Sequence, residues 1–417
     1  MTLRVLVTAV GVALGVFYPF ISVILAEFGF SPGEIGVVFS LGAIGFTVAV
    51  PAWGHLADVK LGRPRTLQVC AVGAAAAVLG LLVPAAPLVI VALMLLFWIF
   101  ECAFQPLADA LTVNAVGDHD YARTRLFGSL GFALGAILSG FLYDRTGYWP
   151  SFVLFALAAA AIVVSAAFLP DVERADLVEI RRRTEPGLGE AAGDAAAART
   201  EPLAVTGAAA TSAPAASRRS WHVGLGSVGV AFRVAPRLGA VLLASVLLHV
   251  GILSGFTFLP LHLEALGGSP SDVALSFGLS ALAEIPGMLV MGLFVRRLGL
   301  RGVFGLAALI YAACMASWMV IDVPLAIVAT RAITGLAFAG IVVSVVLTIA
   351  AILSRDLQAT GQALFQTSAF GIASIIANVI GGQLYETFGP ATVFGLGAVL
   401  AVAAAGIGWF VFPRSRS

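Results

Sequence analysis

The chain has 417 residues, of which 60% are hydrophobic and 11% charged, with a net charge of +1 and a mean hydropathy of +1.04. A soluble domain carries roughly 45–50% apolar and about 25% charged residues, so a water-soluble globule is excluded and the lipid bilayer must be the solvent. The arginines are scattered at helix ends with no basic face, so nucleic acid is not an expected partner.

A helix needs roughly 20 apolar residues to cross ~30 Å of hydrocarbon. Twelve runs approach or exceed that length: 4–27, 34–57, 65–83, 86–112, 122–144, 149–170, 236–263, 272–296, 300–320, 323–348, 357–385 and 389–412. They are continuous rather than alternating, which excludes a barrel. The expected fold class is an all-α polytopic membrane protein. Its twelve transmembrane helices form two pseudo-symmetric six-helix bundles, residues 1–170 and 236–417, joined by a cytoplasmic linker, 171–235.

Arg4 precedes an apolar stretch too long for a signal peptide and without a small-x-small cleavage site, so the first span is expected to be retained. It carries Phe17 and Tyr18, aromatics that either line a cavity or face lipid and core. After the second span comes a turn, Gly54-His55-Leu56-Ala57-Asp58-Val59-Lys60-Leu61-Gly62-Arg63-Pro64-Arg65. Its glycines permit tight turning and close helix approach. In the fourth span Glu101, Gln105 and Asp109 fall at i, i+4 and i+8, one polar stripe down one helix face. Pro106 lies inside that stripe and should kink it. Arg123 and Arg125 open the fifth span. Gly128, Gly131, Gly135 and Gly140 then form a small-residue packing seam, with Phe132 among them. The cysteines Cys70, Cys102 and Cys314 each lie in an apolar run and read as packing residues with no disulfide.

Residues 190–216 are rich in Ala, Thr, Pro and Gly and nearly lack large apolar side chains. Such a segment cannot bury enough surface to offset its ordering entropy, so the linker is expected to be disordered. A short amphipathic stretch, residues 221–237, is expected on the inner membrane surface. Beyond it, three more titratable side chains stand inside apolar runs: His249, Glu284 and Arg331. With Glu101 they make four. A charge at the bilayer centre costs at least ~2.5–3.5 kcal/mol on insertion scales, so each should face a cavity or a partner. Glu101 and Glu284 suit reversible protonation, with an ion pair to Arg331 as the alternative for Glu284. His249 is either a hydrogen-bonded packing residue or a proton carrier.

The halves repeat. Gly140-Phe141-Leu142-Tyr143-Asp144 followed by Gly147 returns as Gly382-Gln383-Leu384-Tyr385-Glu386 followed by Gly389, at an offset of 242. Ser31-Pro32 returns as Ser269-Pro270, and Gly54 as Gly292, at an offset of 238. With both termini inside, every lysine and arginine except Arg145 and Arg331 falls on the cytoplasmic side or in the linker. The inverted topology is therefore rejected.

The turn after the second span resembles the signature of major facilitator transporters, with Gly54, Asp58, Gly62 and Arg63 in the family's gating positions. Gly62 follows Asp58 at a spacing of four positions rather than the usual three. Phe17-Tyr18-Pro19-Phe20, Pro106-Leu107-Ala108-Asp109-Ala110 and the stretch from Tyr121 to Leu134 are similar to the lactose permease branch. They are equally similar to its phenylpropionate permease and nucleoside–proton symporter relatives. The resemblance covers nearly the whole chain. It implies that Asp109 and Arg125 form a substrate-contacting pair, with a helix-end gate as the alternative, and that Phe132 stands where a tryptophan stacks on sugar. The His–Glu proton site of lactose permease is absent: Thr334 and Ala337 occupy those positions, which leaves sugar specificity unsupported. Ala283-Glu284-Ile285-Pro286 instead resembles the eighth-helix motif of the other two relatives.

The resemblance implies a substrate site between the halves near the midplane. The expected activity is proton-coupled symport of a small organic solute: an aromatic acid, a nucleoside or a sugar-like ligand. Asp109, Arg125, Gln105, Phe132 and Tyr18 are the candidate substrate residues. Glu101, Glu284, His249 and Arg331 are the candidate proton-coupling residues. The fifth span lacks the Gly-Pro motif of drug antiporters, which favours uptake over export. A non-transporting receptor is the alternative of another class, against which the retained intramembrane charges argue. No nucleotide loop, metal cluster or nucleophile triad points to an enzyme or a cofactor. A monomer in the plasma membrane is expected, with protons, solute and lipid as its partners.

Overall fold

The computed structural model describes residues 2–169 and 223–413, apart from the side chains of 114–123 and 223–226. All regular elements among the described residues are helical. Proline stands in the first turn of the helices that begin at Pro32, Arg63, Pro87, Pro150, Pro270, Pro324 and Pro390. There its missing N–H would be unpaired anyway, and its fixed φ suits the helix.

Ten helices among the described residues are long and apolar enough to cross a membrane. Two facts raise that number to the expected twelve. The third span, Arg63–Gly80, is helical but carries Arg63, Arg65 and Gln68, which lower its hydropathy. The helix Pro270–Trp318 holds two spans, divided at Gly299, whose φ of 70° and ψ of 169° interrupt it. A left-handed φ of this kind suits glycine alone.

The fourth span runs Pro87–Glu101 and resumes at Phe104. The break falls one turn before Pro106, whose absent N–H frees the Cys102 carbonyl. The Trp53 indole N–H donates to the carbonyl of Ile99 at 2.7 Å, satisfying part of the opened turn. Helical backbone then continues from Phe104 to Thr146. Yet Arg125 Nη1 lies 2.5 Å from Asp109 Oδ2, sixteen residues away. A straight helix would separate them by ~24 Å, so the chain folds back and sets the fourth and fifth spans side by side.

The linker 171–235 lies outside the described residues as far as 222. Its amphipathic end is a helix, Val223–Val234, whose Ser227 hydroxyl is 3.4 Å from that of Thr360 on the eleventh span.

The hydrogen bonds that join the first six spans to the last six lie toward one end of the bundle, opposite the chain termini. Glu386 accepts from the Ser31 hydroxyl at 2.9 Å and the Gly33 N–H at 2.8 Å. Asp144 accepts from the Ser271 N–H at 2.8 Å. The Tyr148 hydroxyl donates to Glu264, and Ser40 reaches the Ile375 carbonyl at 3.3 Å. Backbones pack tightly there: a Cβ on Gly36 would strike Asn378 and Gly382, and one on Gly140 would strike Ala274 and Pro270. At the terminus-bearing end the paired Arg125 and Asp109 side chains are partly exposed. The space between the halves is thus closed at one end and reaches the surface at the other.

Candidate functional site

Between the halves lie two adjoining cavities. The first, about 300 Å³, is lined from the first half by Gln105, Ser129 and Phe132 and from the second by Phe277, Ser280, Glu284, Tyr311 and Arg331. The second, about 330 Å³, is lined by Tyr18, Phe39, Trp98 and Phe370, with Thr257, Ser374 and Asn378. Ile252, Phe256 and Phe338 belong to both, so these are two lobes of one space, one charged and one aromatic. Its volume is in the range of small-molecule sites.

Helix geometry sets the depth of each group. Arg331 stands seven residues, ~10 Å, into the tenth span from Pro324, near the closed end. It is 8% exposed. Its guanidinium carbon lies 5.9 Å from the Phe277 ring centre and 5.8 Å from that of Trp318. Nη1 donates to Thr334 Oγ1 at 3.2 Å, and Nε has no hydrogen-bond partner. Among the described residues Arg331 makes no ion pair, with Glu284 or any other carboxylate. Glu284 faces the same lobe from the eighth span, close enough to Arg125 across the cavity for their charges to interact. Tyr311 stands near both Arg331 and Glu284.

Toward the open end, the Gln105 amide donates to Asp109 at 2.9 Å, and Asp109 is paired with Arg125. The Arg125 and Asp109 side chains are 47% and 27% exposed. Gln105 touches the cavity; Asp109 and Arg125 stand one turn beyond it, at the mouth.

Two of the four intramembrane titratable groups lie outside the lining. Glu101 is buried at the break of the fourth span, beside Tyr18 and Cys102, and its Oε2 has no hydrogen-bond partner. It sits behind the aromatic lobe. His249 bonds the Ser245 carbonyl through Nδ1 at 2.8 Å and is ringed by Phe338, Phe365 and Phe370. One aromatic layer separates it from the cavity.

The turn after the second span explains its spacing. Residues Ala57–Leu61 form a π-helical turn, which takes up one extra residue. Gly62 then reverses the chain with φ 79°. Asp58 and Arg63 are 3.6 Å apart at the terminus-bearing end.

Asn378, Thr257 and Tyr311 are lining groups that sequence reasoning passed over. Their signal was faint: polar but uncharged side chains inside apolar spans. The Thr257 hydroxyl donates to Asn378 at 2.6 Å, and the Asn378 amide donates to Ser374 at 2.8 and 3.1 Å.

The description of one protein family, the MFS_1 like family, matches residues 11–396. Maltose permease of Geobacillus stearothermophilus is 27% identical over 388 residues, covering 92% of this chain and 86% of that protein. An uncharacterized transporter of Bacillus subtilis (strain 168), YwbF, is 22% identical over 412 residues, covering 97% and 91%. The crystal structure of the nucleoside transporter NupG superposes with a TM-score of 0.76 at 16% identity, over 98% of this chain and 97% of that one. The D-xylose-proton symporter superposes at 0.67 with 14% identity, over 99% and 97%. These are transporters, not enzymes, and the two superposed structures share the arrangement described above. The match over nearly all of the chain, on a cavity built between two six-helix sets, places this multi-pass membrane transporter in the MFS_1 like family of the major facilitator type.

Proposed function

We propose that the protein is a proton-coupled symporter that imports a small organic solute by alternating access. The observation that carries this reading is Glu284: a carboxyl within a membrane span, facing a cavity that both halves line and that is closed at one end only. A carboxyl there can take a proton from one side and release it to the other only if the closed end changes. In this reading Glu284 carries the proton, Gln105, Phe132 and Tyr18 touch the solute, and Asp109 with Arg125 guards the mouth. Two proteins of like fold, a nucleoside transporter and a D-xylose-proton symporter, support solute transport coupled to protons.

Both termini and residues 171–235 are cytoplasmic, so the open end of the cavity faces the cytoplasm. The protein works as a monomer in the plasma membrane. The test is uptake into proteoliposomes under an imposed pH gradient. Glu284→Gln should abolish accumulation against a gradient and leave counterflow exchange. If Glu284→Gln accumulates solute as the native protein does, this residue is not the proton carrier and the reading fails.

A further inference from the structure

We infer that the transported solute is a small aromatic monocarboxylate, its carboxylate bound to Arg331 and its ring held in the aromatic lobe. The inference rests on the cavity being the transport site, and it goes further by fixing the chemistry of what fills it.

The starting point is a charge without a counter-charge. A guanidinium stays ionised at any physiological pH. Arg331 is 8% exposed, with Nε unpartnered and one bond to a neutral hydroxyl. An isolated buried charge carries a heavy desolvation penalty, so a site that keeps one is built for a partner that arrives. Nearby protein groups do not serve as that partner. Asp109 is engaged by Arg125 and Gln105. Glu284 is the carboxylate among the lining residues, and it makes no ion pair with Arg331. When Glu284 takes up its proton, Arg331 is the one charge left among the residues that line the lobe. A monoanion restores neutrality, so anion and proton are bound together and cross together without net charge.

The second lobe sets the rest of the ligand. Tyr18, Phe39, Trp98, Phe256, Phe338 and Phe370 line it. Of its polar side chains, Thr257, Asn378 and Ser374 already serve one another, Thr257 bonding Asn378 and Asn378 bonding Ser374, which leaves the Tyr18 hydroxyl and the Trp98 indole N–H. A polyol would find few free donors and acceptors there and would leave hydroxyls unpaired. A flat ring would stack on aromatic faces. The shared wall of Ile252, Phe256 and Phe338 puts ring and carboxylate within one small molecule's reach.

Calorimetric titration of the purified protein with phenylacetate, indole-3-acetate, phenylacetamide, uridine and maltose tests this. At least one acid should bind, and phenylacetate should bind at least ten times more tightly than its uncharged amide. Arg331→Gln should erase that preference, while Arg331→Lys keeps part of it. Arg331→Gln also removes an uncompensated buried charge, so without ligand it should melt no lower than the native protein. In proteoliposomes, acid uptake should follow the pH gradient and ignore an imposed membrane potential. The inference is overturned if neither acid binds, if acid and amide bind alike, or if Arg331→Gln binds the acid as the native protein does. Proton-driven, Glu284-dependent uptake of uridine or maltose, with no competition by acids, would sink this inference and leave the symporter reading standing. A lack of response to the pH gradient by every probe, with acid binding intact, would do the reverse.

Discussion

Depth along a span is legible in sequence, but direction around it is not. Glu101, His249, Glu284 and Arg331 stood out equally, because each interrupts an apolar run. The structure turns Glu284 and Arg331 into the cavity and sets Glu101 and His249 behind aromatic side chains. Which way a residue faces depends on the neighbouring helices, and those contacts are long-range. The pairing of Asp109 with Arg125 rests on the resemblance and on the polar stripe that Asp109 shares with Glu101 and Gln105, and its position at the mouth bears on its role. A half-exposed ion pair contributes ~0.2–1 kcal/mol, and neither side chain lines the cavity wall. Asp109→Asn and Arg125→Gln should therefore slow uptake severalfold while leaving phenylacetate affinity within about twofold. A double-mutant cycle on uptake rate should show coupling of roughly that size. A tenfold or greater loss of binding in either variant would make the pair a substrate contact instead.

Among the elements, the internal repeat proves to be mechanical. Ser31 and Ser269 each cap a helix with a complete capping box, closed by Glu34 and by Asp272. Each of these helix starts also receives an acid from the opposite half, Glu386 onto Ser31 and Gly33, Asp144 onto Ser271. The two motifs that recur at offsets of 242 and 238 are thus the two sides of one latch, built twice. A carboxylate at a helix N-terminus is worth ~0.3–1 kcal/mol exposed and up to ~2 kcal/mol when partly buried. Losing both should shift the balance between closed and open by about tenfold or more. Spin labels at Trp149 and Phe388, exposed by 57% and 69% on opposite halves, would report the change. Asp144→Asn with Glu386→Gln should add a longer-distance population; an unchanged distribution would mean that the packed glycines hold this end alone. Sequence showed that the motifs repeat, but pairing across a 127-residue separation has no local signature. The π-helical turn at Ala57–Leu61 was foreshadowed more directly, by one residue too many between Asp58 and Gly62.

At the scale of the molecule, composition alone required a membrane solvent, and span counting anticipated twelve helices. What it could not supply was how the two sets of six hold each other. Residues 171–235 are expected to contribute nothing to that hold, because their central stretch lacks the large apolar side chains that would offset ordering entropy. The cross-half bonds of Glu386, Asp144, Tyr148 and Ser40, with the close backbone packing at Gly36 and Gly140, carry it instead. Limited proteolysis should therefore cut between Glu185 and Arg219 and leave two fragments that co-purify in detergent. A protease-resistant domain in that interval would contradict the compositional argument. The cut protein also offers a comparison the intact chain does not. Once the covalent tie is gone, association depends on the interface alone, so Asp144→Asn with Glu386→Gln should raise the fraction of fragments that separate on size exclusion. If the cut halves of the native protein part as readily as those of the variant, the carboxylate latches contribute little to holding the halves together. The small-residue seams would then be the whole of the closed end.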